Sequence, residues 1–436
     1  MSRSEHASVV EFKSWLVQNG GRIHPEVHFE PGLAGFNVVA RNDISANQSI
    51  VSIPFSLAIT PEVARQALKE LLGHEQPSLN ERQLECTYMV LHWIVRPLNS
   101  DVLKHDPYLI TLPSPDKLRT PLHFTDLELA AFRGSNLFGA TLDRKRQWEA
   151  EWQQCREAVA SANADWGTEF TWERYLSAAT YLSSRAFPST VLSETPSLVT
   201  TDTSYPVLLP GIDALNHARA HPVSWVVSAP SAPQTPSSSP PAPEPSISLV
   251  IHTATSHGAE LLNNYGPKPN AELILGYGFS LPDNPDDTIV LKIGGPSTAA
   301  SSSSSSMGWE VGRNARGAEP VWEAVLSAVR AQNAEDGEDG VEEEGDAAVE
   351  DELCAADMLA EMAQGLHGRL PPFPSDSEAS AAIRPEVLRM LEHYLEGQRD
   401  ILQNLVAFAQ EKEAGALQRA KELGLDVVEE EEEEQP

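Results

Sequence analysis

The chain has 436 residues, 41% hydrophobic and 7% aromatic, enough for two or three domains with at least one sizeable core. Its formal charge of −32 is mostly local: residues 335–352 and 429–434 carry 17 of the carboxylates, and without them the remainder holds about −15. An acidic body with no Lys/Arg face excludes general nucleic-acid binding, which needs cations against phosphates, and suits a basic peptide or protein partner.

At the N-terminus, "MSRSEHASVVEFKSWL" has charges where a signal peptide needs an apolar run. Within it, "FKSWLVQNGG" predicts a helix closed by Gly20 and Gly21. The stretch "GFNVVARNDISANQSIVSIPFSLAIT" clusters β-branched and alternating apolar residues, predicting two or three strands with turns at Asn42-Asp43 and Ala46-Asn47. From Pro61 to about Tyr181 the apolar period becomes helical, in "PEVARQALKELL", "LECTYMVLHWIV", "DRKRQWEAEWQQCREAVA" and "WERYLSAATYLSS". Strand character returns at "PVLLPGIDALN", "VSWVV" and "ISLVIHT". Between the last two lies a Pro/Ser/Ala stretch too polar to pack, predicting a disordered loop at about 228–246. A Ser-rich linker at 296–315 leads to a helical remainder, interrupted by an acidic run at about 333–352 that reads as solvated disorder.

Cys86, Cys155 and Cys354 form no C-x-x-C pair, which argues against a zinc ribbon, a disulfide framework and any metal site. No apolar run approaches the ~20 residues of a membrane span. These features predict a soluble intracellular protein.

Three pieces could carry chemistry. "SSRAFP" places Arg185 at a helix end, and "GIDALNH" places Asp213, Asn216 and His217 after a buried apolar run. "ELLNNYGPKPNAELILGYGF" holds two Tyr-Gly pairs, Tyr265-Gly266 and Tyr277-Gly278, around a short helical stretch. Singly each has a bland reading: a turn cap for Asp213, a packed aromatic for either tyrosine. In this order, between these element types, the set is far more specific.

The ordered set resembles the SET-domain methyltransferases, within them the class typified by the Rubisco large-subunit lysine methyltransferase. "VVARNDISANQSIVSIPFSLAIT" is similar to the opening strands and "DPYLITLPSPDKLRTPLHFTDLELAAFRGSNL" to the helical insertion of that class. "SRAF", "DALNH", "NNYGPKPNAELILGYGF" and "PDNPDDTIVLKI" follow in the class's order. The resemblance implies an α+β fold, a split SET β-fold with a helical insertion between its halves, followed by an all-α C-terminal domain. The corresponding boundaries are 1–64 for the N-terminal helix and first SET half, 65–190 for the insertion, and 191–295 for the second half. The helical substrate-binding domain then occupies 316–430, with an acidic tail at 429–436.

The resemblance further implies S-adenosylmethionine as cofactor and methyl transfer to a lysine amine of a protein, a ribosomal protein being the family-level expectation. Tyr265 is then the catalytic tyrosine, orienting methyl and amine, and Tyr277 the opposite wall of a narrow channel. Asn216 and His217 hold the cofactor, His217 as a fixed structural histidine. Arg185 pairs with the cofactor carboxylate, and Asp213 lines the site near the incoming amine or the cofactor ammonium. Ala34, Gly35 and Phe36 form its main-chain cradle. The family often has a second glycine where this chain has Asn37, a residue that tolerates a left-handed backbone. Phe187 lines the substrate channel, and an aromatic there favours lysine over the histidine modified by a sister branch. Alternatives are that histidine activity, a non-catalytic SET-like partner-binding protein, or a hydrolase using His217 and Asp213, for which no G-x-S-x-G elbow is present. A monomer in the cytoplasm or nucleus is expected.

Overall fold

The computed structural model describes residues 4–76, 78–95, 102–228, 244–292, 308–336, 344–374 and 380–425. The chain forms two compact units. The first comprises Met1–His123, Ala140–Pro267 and Leu275–Gly278. Its opening helix, Ala7–Gln18, ends at Gly20 with φ +85° and buries Val9, Phe12 and Leu16. Strands β1 (Arg22–Ile23), β2 (Val27–Gly32), β3 (Gly35–Ala40) and β4 (Gln48–Pro54) follow. β5 (Phe187–Pro188) pairs with β6 (Pro206–Val207), and β7 (Asn216–His217) precedes the hairpin of β8 (Val223–Ser228) and β9 (Ser246–Ile251). β10 (Leu262–Asn263) closes the series.

The main sheet is antiparallel with strand order β1-β4-β9-β8. On β9, Ile247, Leu249 and Ile251 alternate inward, as a strand with one buried face requires. On β4 the register shifts between Ser49 and Val51, which is how the neighbours Ile50 and Val51 both reach the core. Sharing a core cluster with these strands are helices Glu81–Val95, buried from Gln83 to His92, and Trp172–Arg185, buried from Tyr175 to Leu182, which pack on each other. Helix Pro61–Leu72 has the ends its sequence specifies: Thr60 caps the Val63 N–H, Pro61 opens the first turn, and Gly73 stops it at φ +80°. Strand structure is shorter than "PVLLPGIDALN" suggested. After Pro206–Val207 the chain reaches Gly211 at φ +88° and turns through a 3₁₀ segment, Ile212–Ala214. The Asp213 carboxylate accepts the Gly211 N–H and stabilises that turn instead of a ladder.

The second unit comprises Phe124–Gly139, Lys268–Ile274 and Phe279–Pro436. Its core gathers Ile289 and Leu291 of β11 (Thr288–Lys292) and Val311 of β12 (Gly308–Gly312). Helices Ala318–Asp336, Glu344–Arg369 and Pro385–Leu423 contribute Trp322, Leu359 and Leu402. The unit is therefore mainly helical: a β11–β12 hairpin precedes residue 316, and the regular elements described after it are helices. The β11–β12 hairpin buries its apolar face among the helices, and a segment from within the expected insertion joins it. There Thr125 and Glu128 form a reciprocal cap, and Glu128 also takes the Arg384 guanidinium at 2.6 Å. Burial opposes ionisation of Glu128, but these donors outweigh it and hold the carboxyl at about 2.

The acidic run is also corrected where it is described. Residues 344–352 open a helix that buries Val349, and Asp351 accepts from Arg330 and Asn333 while Glu352 pairs with Arg419. Residues 337–343, the acidic tail, the body of the Pro/Ser loop and most of the Ser-rich linker lie outside the described residues. No helix among the described residues is long and apolar enough to cross a membrane.

Candidate active site

The parallel pairing of β7 with β10 sets Asn216 beside Leu262 and His217 beside Asn263. This register brings together two motifs nearly fifty residues apart. The Tyr265 N–H donates to His217 Nδ1 at 3.0 Å, so that nitrogen acts as an acceptor and the ring is held as a fixed structural group. The His217 ring stacks on Tyr265, centroids 5.0 Å apart, and Tyr265 stacks on Tyr277 at 5.3 Å and 26°. No alkyl chain fits between rings this close, so the two phenols form one stacked wall rather than two facing walls. The Tyr265 hydroxyl donates to the Leu215 carbonyl at 2.9 Å. Burial pushes that phenol above its ordinary value, which makes it a neutral hydrogen-bonding group.

Tyr277 ends a π-helical turn, Leu273–Tyr277, an uncommon geometry that often marks functional sites. Both Tyr-Gly glycines adopt positive φ, +89° at Gly266 and +80° at Gly278. At Gly278 a Cβ would lie 2.7 Å from the Arg119 carbonyl carbon, so this glycine also permits a close backbone crossing.

Arg185 ends helix Trp172–Arg185 and donates through Nη1 to the Asp213 carbonyl at 3.0 Å. The same nitrogen lies 3.6 Å from Asp213 Oδ2. Asp213 Oδ2 accepts the Tyr108 hydroxyl at 2.6 Å, and Oδ1 accepts the Gly211 N–H at 3.1 Å. Burial raises the Asp213 carboxyl, with Arg185 and Tyr108 opposing the rise. A cavity of about 20 Å³ opens among Phe29, Phe36, Tyr108, Thr111, Arg185 and Asp213.

Phe36 reaches this cavity from the β2–β3 hairpin, whose tip leaves Ala34 exposed and buries Gly35. Gly35 has φ +122°, and a Cβ there would approach Pro113 to 2.9 Å, so the hairpin requires glycine at that position. Asn37 does not take the left-handed backbone its type would allow. It is a β3 residue opposite Glu30, and its side-chain oxygen accepts from Asn216 Nδ2 at 3.2 Å. Asn216 Nδ2 also donates to Glu260 at 2.7 Å. Phe187 lies on β5, 8% exposed, edge-to-face with Trp225 at 6.3 Å in the core.

Tyr108 and Glu260 complete the constellation without having been singled out in the sequence, although Tyr108 falls in a stretch that resembles the SET class. Among the described residues no group of three or more His, Cys, Asp or Glu is placed to hold a metal ion. The donor set instead fits a zwitterion, with Arg185 for a carboxylate and Asp213 for an ammonium, beside an aromatic stack.

No protein-family model matches the chain. Among curated proteins it is similar to ribosomal lysine N-methyltransferase set10 of Schizosaccharomyces pombe, 33% identical over 283 residues, 64% of this chain and 46% of that protein. It is also similar to protein-lysine N-methyltransferase EFM1 of Saccharomyces cerevisiae, 23% identical over 66% of this chain and 52% of that protein. N-lysine methyltransferase SETD6 of Rattus norvegicus is 22% identical over 65% and 57%. The chain thus spans about half the length of the curated relatives it matches. Among solved structures, the SET domain of LSMT bound to lysine and AdoHcy superposes with a TM-score of 0.70 at 19% identity, covering 97% of this chain and 96% of that one. Rubisco LSMT bound to AdoMet gives 0.67 at 18%, over 97% and 98%. The chain is similar in sequence to these lysine methyltransferases and has the fold of the LSMT SET-domain structures.

Proposed function

We propose that this protein transfers a methyl group from S-adenosylmethionine to the side-chain amine of a lysine in a protein substrate. The observation that carries the reading is the convergence, in one SET-fold unit, of the Arg185–Asp213 pair with the His217–Tyr265–Tyr277 stack. When bound, the cofactor supplies an electrophilic methyl on a sulfonium. The chain's own residues must bind that group, align the amine and exclude water. Arg185 takes the amino-acid carboxylate by charge-assisted hydrogen bonds, and Asp213 faces the ammonium. Asn216, its Nδ2 occupied by Asn37 and Glu260, presents its carbonyl oxygen as an acceptor. The hairpin at Ala34, Gly35 and Phe36 walls the cofactor side.

A lysine amine in water titrates at about 10.4, so it must reach the methyl group without its proton. Apolar, aromatic surroundings beside a sulfonium favour the neutral form. Tyr265, itself neutral, orients the amine by hydrogen bonding; Tyr277 and Phe187 belong to the substrate side in this reading. The first SET half is 1–64 and the second begins at 191, the two split by the insertion 65–190, and the mainly helical second unit, which takes in β11, receives the substrate protein. A basic ribosomal protein suits the chain's acidity and the names of the yeast relatives, and a monomer in the cytoplasm or nucleus is part of this reading.

Incubation with methyl-labelled S-adenosylmethionine and a fungal ribosomal-protein extract tests the reading, with the modified residue identified by mass spectrometry. Label on lysine is expected. Label on histidine, or none while cofactor is bound, contradicts it.

A further inference from the structure

We propose that Tyr108 is a positioning residue that keeps the Arg185 guanidinium available for the carboxylate of the bound cofactor, an inference that rests on the methyl-transfer reading above. Tyr108 is 2% exposed and comes from a short helix, Asp106–Leu109, far in sequence from either partner. A carboxylate and a guanidinium this close in a buried site would ordinarily close into a bidentate pair, satisfying each other and leaving nothing for a ligand. Here the carboxylate is anchored elsewhere. The Tyr108 hydroxyl occupies Oδ2 at 2.6 Å and the Gly211 N–H occupies Oδ1 at 3.1 Å. The nearest guanidinium nitrogen stays 3.6 Å from Oδ2 and spends its hydrogen bond on the Asp213 main-chain carbonyl instead.

The geometry leaves a directional remainder. Among the described residues, both Arg185 contacts with Asp213 run through Nη1. Nη2 and Nε are therefore left for an anion, and the cavity bounded by Tyr108, Phe36, Arg185 and Asp213 is where one would enter. Tyr108 thus separates two opposite charges that the same ligand needs separately.

The test is calorimetric titration of the full chain, wild type and Tyr108→Phe, with S-adenosylmethionine and with 5′-methylthioadenosine, which lacks the amino-acid end. Without the hydroxyl, Asp213 can swing onto Arg185 and compete with the ligand. Affinity for S-adenosylmethionine is then expected to fall about tenfold, while affinity for 5′-methylthioadenosine stays unchanged. An equal loss for both ligands, which general loosening would give, or no loss for either, overturns the proposal. In an Asp213→Asn background, where no charge competes for Arg185, Tyr108→Phe is expected to add no further loss; a further loss there would place its action elsewhere. A wild-type protein that binds neither ligand defeats the methyl-transfer reading itself, and this inference with it.

Discussion

Tyr265 sits between two rings, with its hydroxyl on the Leu215 carbonyl and its phenol raised by burial. A phenol in that state is a poor base and a good orienting group, which limits what it does for an amine nucleophile. Tyr265→Phe keeps the ring stack and removes only the hydroxyl. Turnover is expected to fall at least about 100-fold, with S-adenosylmethionine affinity within about twofold of wild type. Single-turnover rates and a binding titration on the same preparation check this, and unchanged turnover would remove Tyr265 from the chemistry. At this scale the sequence was readable where motifs are local: Arg185, Asp213, Asn216, His217 and the tyrosines announce themselves as short strings. Tyr108 and Glu260 did not, because their meaning lies in partners 105 and 44 residues away. Asn37 was legible as a departure from the family's glycine, but its role as an acceptor for Asn216 needed the fold.

Among the elements, the two Tyr-Gly turns make matched cases with different costs. Gly266 has φ +89° and nothing among the described residues within 4 Å of a Cβ, so Gly266→Ala carries conformational strain alone, about 1–2 kcal/mol. Gly278 has φ +80° and the Arg119–Thr120 backbone within 3.0 Å of a Cβ. Gly278→Ala therefore combines strain with a clash against main chain and is expected to cost more than about 3 kcal/mol. Chemical denaturation of the two variants checks the ordering; equal losses would mean that the close crossing at Gly278 relaxes freely. Much at this scale was legible, since turns and helix starts are written locally: Pro61 opens its helix and Gly20 ends the first. The misreadings share one cause, partners that the local pattern does not show. At "PVLLPGIDALN" a glycine with positive φ and an aspartate serving its own turn defeat the strand pattern. At residues 344–352 Arg330 and Arg419 stabilise a helix that its charge alone would not suggest. The destination of β11 was hidden because its partner surface is assembled from helices much later in the chain.

For the molecule as a whole, each of the two units has its own buried core, and every residue assigned to cofactor or chemistry belongs to the first. The bulk charge of −32 helped to choose a partner class and said nothing about the site, whose Arg185 and Asp213 offset one another. Methyl transfer requires above all that this first unit bind S-adenosylmethionine. The most direct measurement is calorimetric titration of the full chain with S-adenosylmethionine, alongside Asn216→Ala, which removes the amide held by Asn37 and Glu260. Saturable binding, weakened at least about tenfold by the substitution, is predicted. No heat and no thermal shift, or binding that Asn216→Ala leaves untouched, would contradict it.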